Sequence, residues 1–330
     1  MKRSCKIFVL LVLLVAVSCG QQGRKASSET DSAVQERKFP MVPLPAMIQD
    51  SQQAAEYMAM HYWDALCSHI LQPDSSEDFL RDSLHVEGVR IGDLEQSLAN
   101  YIYILESLPL KTAQKAVAHM ADVALSCERA DSSSNVFETI VRMTEKYMYD
   151  PNSPLRDEDL YSPFAARMAQ NPSYDQAARD RYDYIAGMCR LNQRGTKAAD
   201  FRFCDKAGRI HTLYGITADH ILLFFSNPGC TSCLDIINTL KSDEVVNRLL
   251  SEGSLKVLNI YIDEDLQAWK KYMPVYPEQW YNGFDPDMKI RNEKIYSVRA
   301  IPSLYLLDKD KKVILKDTTP ERLMATLHAI

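Results

Sequence analysis

The feature that most constrains the fold is a pair of cysteines, Cys230 and Cys233, standing between a buried strand and a helix. Residues 221–225 (ILLFF) form an unbroken apolar run of strand length, as expected for a strand buried on both faces. Turn-forming residues follow at 226–229 (SNPG), and the pattern after the cysteines predicts a helix over 234–250. Two cysteines at such a junction indicate redox chemistry.

The N-terminus has the pattern of an export signal. Three basic residues within the first six precede eleven apolar residues, 7–17, which are too few for the roughly 20 that span a bilayer. Small residues stand directly before Cys19, as in a lipidation site, so we expect residues 1–19 to be a lipoprotein signal peptide. Ordinary cleavage with an idle Cys19 is the alternative. Residues 20–39 are almost devoid of apolar side chains and predict a flexible tether.

From residue 195 onward the chain alternates between strands and helices. Residues 195–210 carry a glycine-bearing turn between two strand patterns, which predicts a β-hairpin ahead of the buried strand. Beyond the first helix the pattern predicts a strand over 255–262, a helix over 264–272, strands over 303–307 and 312–315, and a helix over 321–328.

This order, with Cys-x-x-Cys at the start of the first helix and Ile301-Pro302 just before a core strand, resembles the thioredoxin fold. The hairpin and the export signal narrow the resemblance to membrane-anchored TlpA-like thiol–disulfide oxidoreductases. The resemblance covers residues 195–330 and implies a central mixed sheet with flanking helices. It also implies that the Ile301–Pro302 bond is cis and that both residues bind a substrate strand beside the cysteines.

The position of the two cysteines predicts their roles. Only a thiolate attacks a disulfide, and free N–H groups at a helix N-terminus favour negative charge. Cys230 is therefore the expected nucleophile, and Cys233, one turn into the helix, the expected resolving thiol. We expect Thr231 and Ser232 to tune the redox potential through their hydroxyl groups.

The sequence departs from the thioredoxin pattern at two positions. Gly229 stands where thioredoxins usually have tryptophan, and Phe224 stands where they have a buried acid. Asp263 or Glu264, at the end of the next strand, is a candidate substitute as proton acceptor. The alternative is a solvated pair of carboxylates that opens a helix.

The pattern over residues 40–193 predicts an all-α domain of five to seven helices, because apolar residues recur at spacings of three and four between proline-rich breaks. This part resembles a domain of unknown function that precedes thioredoxin-like modules in such lipoproteins. Its histidines have no metal-ligand spacing, so we expect no metal site; they are His61, His69, His85 and His119. The cysteines outside the pair are interpreted as small buried hydrophobic residues.

The sequence thus predicts a lipid-anchored, periplasm-facing thiol–disulfide oxidoreductase of the cell envelope that acts as a reductase. We expect it to need no cofactor, to exchange disulfides with envelope proteins and to draw electrons from an upstream membrane thiol donor. The formal net charge of −6 and the lack of a basic run exclude a nucleic-acid partner.

Two other functions are consistent with parts of the pattern. A binding or assembly lipoprotein would keep the fold, with Cys-x-x-Cys as a structural disulfide only. A peroxiredoxin-like peroxidase would explain Pro228-Gly229-Cys230-Thr231, but that family has proline seven residues and threonine three residues before the cysteine. Leu223 and Asn227 occupy those places here.

Overall fold

A computed structural model describes residues 34–72 and 78–330. The predicted signal peptide, including Cys19, and most of the predicted tether lie outside the described residues. Within the described part, no helix has the length and apolar character needed to cross a membrane.

The N-terminal region is helical, as the apolar periodicity predicted. Its seven α-helices pack around one core that receives side chains from every helix, with Trp63, Tyr101 and Phe164 among the fully buried ones. A single π-helical turn, Glu145–Tyr149, follows the fifth helix. The helices are α1 (Ser51–His61), α2 (Asp64–Leu71), α3 (Ile91–Glu106), α4 (Leu110–Ala130), α5 (Val136–Thr144), α6 (Glu158–Ala169) and α7 (Gln176–Cys189).

Two features of this region differ from the prediction. A short hairpin, β1 (His85–Val86) and β2 (Val89–Arg90), interrupts the helices. Residues 34–39, which the prediction placed in the tether, contact the helical region: Arg37 donates to the carbonyl of Leu66, and the Phe39 ring stacks on Tyr62 at 5.3 Å between centroids. Polar composition concealed this packing because backbone hydrogen bonds of Gln35 and Arg37 also contribute to it.

A disulfide joins Cys67 on α2 to Cys127 on α4, with 6.1 Å between the Cα atoms. The sequence interpretation had both residues as unpaired hydrophobic side chains. Their separation of 60 residues carries no local pattern, so the pairing depends on how α2 packs against α4. Cys189 and Cys204 are free and buried.

The C-terminal region contains the predicted mixed sheet with flanking helices. Its seven strands lie in the order β4-β3-β7-β6-β5-β8-β9, and the pairs β5/β6 and β6/β7 are parallel whereas the others are antiparallel. The strands are β3 (Arg202–Asp205), β4 (Ile210–Thr212), β5 (His220–Phe225), β6 (Leu255–Tyr261), β7 (Tyr281–Phe284), β8 (Ser303–Asp308) and β9 (Val313–Leu315).

The strand β7, which the sequence did not predict, joins the β3–β4 hairpin to the rest of the sheet. Gly283 makes this junction feasible because a Cβ atom there would lie 2.7 Å from the Phe203 ring and 2.9 Å from the Cys204 carbonyl oxygen. The backbone of β3 can approach β7 only where that side chain is missing.

Four of the five helices in this region pack on the sheet face that carries the cysteine pair, and the short helix α11 packs on the other face. The predicted helix over 234–250 is two helices, because Asp243 ends the first and caps the second through a 2.9 Å bond from Val246 N. Apolar side chains alternate along β5, so Leu222 and Phe224 enter one core and Ile221 and Leu223 enter the other. The helices are α8 (Thr231–Ser242), α9 (Glu244–Glu252), α10 (Leu266–Tyr272), α11 (Lys289–Asn292) and α12 (Pro320–His328).

Candidate functional site

Three predicted site segments lie at one end of the sheet. Phe225, the last residue of β5, is paired with Ile260 of β6 and with Ser303, the first residue of β8. The cysteine loop follows β5, Asp263 follows β6, and Pro302 precedes β8. Because β5 and β6 are parallel and β8 is antiparallel to them, these segments meet at the same end of the sheet.

The two cysteines occupy different environments at the start of α8. Cys230 is the N-cap residue, half-buried, and its Sγ accepts a hydrogen bond of 3.1 Å from the backbone N of Cys233. Cys233 is only 2% exposed and belongs to an apolar cluster with Phe224, Ile236 and Ile237. The two sulfurs form a disulfide, with 5.2 Å between the Cα atoms.

This asymmetry follows from the helix terminus. N–H groups in the first turn have no partner inside the helix, so an acceptor at the N-cap satisfies one of them. A thiolate on Cys230 is stabilised by the same groups and by the positive end of the helix dipole. Burial of Cys233 among apolar side chains instead favours its neutral thiol.

The residues around the pair leave it accessible from solvent. Gly229 is exposed, has a φ of +74° and has no atom within 4 Å of where a Cβ would be, so the place of the usual tryptophan is open. Thr231 and Ser232 are exposed as well. Neither hydroxyl bonds to Cys230 Sγ in the described part of the chain, where the bond to this sulfur comes from the Cys233 backbone.

The structure places the two candidate proton acceptors differently. Asp263 accepts a hydrogen bond of 2.8 Å from Nδ2 of Asn227, which lies in the loop before the cysteines. It also forms an ion pair with Arg291 Nη1 at 2.9 Å. Glu264 is exposed to solvent. Asp263 therefore holds the cysteine loop through Asn227.

A buried polar network, which the sequence interpretation missed, lies behind the loop. Ser226 Oγ donates to Asn259 Oδ1 at 2.5 Å, Asn259 Nδ2 donates to Asn282 Oδ1 at 3.1 Å, and Asn282 Nδ2 donates to the Pro277 carbonyl at 2.8 Å. Tyr276 lies 3.5 Å from Ser226 Oγ, and burial raises the pKa of its phenol. Asn259 within the apolar run of β6 was the sequence signal for this network.

The loop that carries Ile301 and Pro302 is fixed on both sides. The Ile301–Pro302 peptide bond is cis, and Ile301 packs against both cores of the sheet. On the C-terminal side, Ser303 Oγ donates to Asp317 Oδ1 at 2.7 Å. Both loop residues are half-buried, so part of each faces solvent.

On the N-terminal side, the helical region holds this loop through Glu158, the first residue of α6. Its Oε1 accepts from Ser297 Oγ at 2.8 Å and from Arg299 Nε at 2.6 Å. Its Oε2 lies 3.2 Å from Nζ of Lys316, whose side chain is 2% exposed. Arg299 also donates to the carbonyl of Tyr149. Separations of 139 residues or more hid these contacts from sequence patterns.

Asp317 completes this charged cluster between the two regions. Its Oδ2 lies 3.7 Å from Arg156 Nε and 3.5 Å from Arg299 Nη2. Burial, together with the nearby charge of Glu158, raises the pKa of Asp317 to about 6, although the two arginines and the Ser303 hydroxyl act in the opposite direction. The helical region thus supplies charges that hold both ends of the Pro302 loop.

A groove of about 640 Å³ lies elsewhere on the C-terminal region, between the β3–β4 hairpin and the segment before β7. Neither cysteine of the pair, nor Pro302, lines it. This groove is therefore separate from the cysteine pair and from the Pro302 loop.

Comparisons with known proteins agree with this architecture. The family model of a domain of unknown function, DUF5106, matches residues 18–192, and a model described as thioredoxin-like matches residues 219–313. No curated protein matches the chain.

Solved structures match both regions together or the C-terminal region alone. A thioredoxin-like protein from Bacteroides caccae is 34% identical, with a TM-score of 0.71, over 89% of this chain and 99% of that one. The C-terminal domain of an uncharacterized Bacteroides fragilis protein is 44% identical over 42% of this chain and 98% of its own, with a TM-score of 0.41. The thioredoxin domain of a thiol-disulfide oxidoreductase from Bacteroides vulgatus is 19% identical over 42% of this chain and 96% of its own, with a TM-score of 0.37.

The fold, the cysteine pair at the helix N-terminus and these matches lead to one assignment. The chain belongs to the DUF5106 family, and it carries a thioredoxin-like domain after that helical domain.

Proposed function

We propose that this protein is a reductase of disulfides in cell-envelope proteins. The observation that carries the proposal is the asymmetry of the pair. Cys230 is the N-cap of α8, and its sulfur accepts a hydrogen bond from the backbone N–H of Cys233. The side chain of Cys233, in contrast, is buried. A structural disulfide needs no such difference between its two sulfurs, whereas stepwise exchange does.

The exchange has two steps. In the reduced protein the Cys230 thiolate attacks one sulfur of a substrate disulfide, forming a mixed disulfide and releasing the other substrate sulfur as a thiolate. Cys233 then loses its proton, attacks Cys230 Sγ and frees the second substrate sulfur. The substrate gains two electrons, the protein ends with the Cys230–Cys233 disulfide, and a dithiol donor must reduce it again.

The residues around the pair have roles in binding and orientation. Backbone groups next to Ile301 and Pro302 pair with an extended substrate strand, since this loop is half-exposed at the same edge of the sheet. Asp263 fixes the cysteine loop through Asn227, and of the two candidate proton acceptors it is the one bonded to that loop. Thr231 and Ser232 tune the potential from the exposed first turn of α8.

The location in the envelope rests on the N-terminal sequence. Cys19 carries the lipid anchor in this proposal, and the polar residues after it keep the folded part away from the membrane. The site then faces the periplasm, where its partners are envelope proteins with disulfides and a membrane thiol donor upstream.

The test is turnover of insulin disulfides with dithiothreitol as the electron donor. Wild type should accelerate the reduction, and Cys230→Ala and Cys233→Ala should each abolish the acceleration. Cys204→Ala, at a free cysteine outside the pair, is the control and should keep it. A wild-type rate equal to that of the Cys230→Ala variant would overturn the proposal in favour of a binding or assembly protein. Thiol-dependent consumption of hydrogen peroxide without insulin reduction would favour a peroxidase.

A further inference from the structure

Three potential metal ligands from different helices meet on the surface of the helical region. His61 ends α1, Asp64 begins α2, and His119 lies within α4. Asp64 Oδ2 is 2.7 Å from His61 Nδ1, and Asp64 Oδ1 is 2.7 Å from His119 Nε2. Separations of 3 and 55 residues along the chain concealed this group from the spacing patterns used on the sequence.

We propose that His61, Asp64 and His119 bind a divalent transition-metal ion, with Zn²⁺ as the best fit. Two imidazole nitrogens and one carboxylate oxygen form a donor set that suits zinc. Zn²⁺ is bound at about 2.0–2.2 Å, which puts tetrahedral ligand atoms roughly 3.3–3.5 Å apart. The three ligand atoms here lie within 4.8 Å of one another, so small rotations of the side chains are enough to reach that geometry.

Two of the three helices that carry these ligands, α2 and α4, are joined by a disulfide. The Cys67–Cys127 disulfide joins α2 to α4 one helical turn beyond Asp64 and about two turns beyond His119. Binding therefore needs little ordering of the backbone, and the cost falls mainly on side chains that are between a third and two fifths exposed.

The site leaves a coordination position open. Three protein ligands leave a fourth position on a tetrahedral ion, as in zinc sites that bind an exchangeable water or ligand. Asp64 and His119 both line a pocket of about 480 Å³ with apolar walls from Val42, Leu71 and Val123. The fourth ligand therefore enters from this pocket, and its chemistry is that of a small donor group, water or a carboxylate, attached to an apolar body.

Without metal, each imidazole lies 2.7 Å from an oxygen of Asp64, and the ion takes the place of these two contacts. An imidazole binds a metal through a ring nitrogen that carries no proton, so protons compete with the ion and affinity falls as the pH is lowered. This competition distinguishes coordination by the histidines from loose attraction of a cation to surface carboxylates.

The test is a calorimetric titration of the chelator-treated, untagged protein with ZnSO₄ at pH 7.5 and 5.5, with its disulfides oxidised. We expect one Zn²⁺ per chain at pH 7.5, micromolar or tighter affinity, and weaker binding at pH 5.5. His61→Gln and His119→Gln should each weaken binding at least tenfold. His328→Gln removes a histidine that pairs with one aspartate only, Asp243 at 2.8 Å, and should bind as wild type does.

A second measurement uses the wild type alone, so it does not depend on how well the variants fold. Co²⁺ should give the visible absorption of a four- or five-coordinate nitrogen–oxygen site, and Zn²⁺ should displace it. Octahedral Co²⁺ spectra with millimolar Zn²⁺ affinity, or equal Zn²⁺ affinity in the wild type and all three variants, would overturn the proposal.

Discussion

Asp317→Asn should change how the stability of the protein depends on pH. Asp317 is buried between the helical and thioredoxin-like regions, next to Glu158, Arg299 and the Ser303 hydroxyl. Asparagine has nearly the same shape, can accept the hydrogen bond from Ser303 and carries no titratable proton. The substitution therefore isolates the cost of ionising one carboxyl group in this place.

The expected magnitude follows from the pKa of Asp317, which is raised from 3.8 to about 6, mainly by burial. A raised pKa means that the folded state holds the proton more tightly than the unfolded state does. The resulting stabilisation is fully present below pH 4 and is lost as the pH rises through 6. Between pH 4.5 and 7.5 the loss is about 2 kcal/mol.

Urea unfolding of wild type and Asp317→Asn at several pH values between 4.5 and 7.5 measures this difference. The free energy of unfolding of the wild type should fall by about 2 kcal/mol relative to the variant as the pH rises across that range. Asp310→Asn, at an exposed turn, is the control and should run parallel to the wild type. Parallel curves for Asp317→Asn and wild type would refute the assignment of the raised pKa to this carboxyl group.

Other expected outcomes concern the link between the regions, the disulfide and the anchor. Glu158→Ala removes a carboxylate from Lys316, whose side chain is 2% exposed, and should lower the free energy of unfolding by about 3–5 kcal/mol in urea. A loss below 1 kcal/mol would mean that the buried charge finds other compensation. Replacing both Cys67 and Cys127 by alanine opens a 60-residue connection and should cost about 4 kcal/mol in the same assay. Cys19→Ala should move the protein from the membrane to the soluble fraction and abolish lipid labelling, and unchanged labelling would exclude Cys19 as the anchor.

The sequence predicted those parts of the fold that have a strong local pattern. The apolar runs of β5 and β6 were placed within one residue of their observed bounds, and the helix after Cys230 was predicted within three residues of its start, although its break at Asp243 was not. The strand β7 was not predicted, because residues 281–284 (YNGF) have neither an apolar run nor regular alternation. Its pairing depends on Gly283 and on a hairpin some 80 residues earlier.

The same distinction holds for the sites. The roles expected for Cys230 and Cys233 followed from local order, because the helix that follows them also fixes their environment. The contacts of Glu158 with Arg299 and Lys316 join distant parts of the chain, as does the meeting of His61 with His119. No short-range period encodes such contacts, so only the packed structure reveals them.

The central claim is that exchange begins at Cys230 and is resolved by Cys233. To test it, the reduced Cys233→Ala and Cys230→Ala proteins are each mixed with a peptide that contains one disulfide. Mass spectrometry then measures how much mixed disulfide each variant has formed. Among the described cysteines outside the pair, Cys189 and Cys204 are free but buried, and Cys67 and Cys127 are buried as well. Cys233→Ala should accumulate a long-lived adduct on Cys230, and Cys230→Ala should form almost none. Equal adduct formation in the two variants, or a stable adduct on Cys233 alone, would contradict the account.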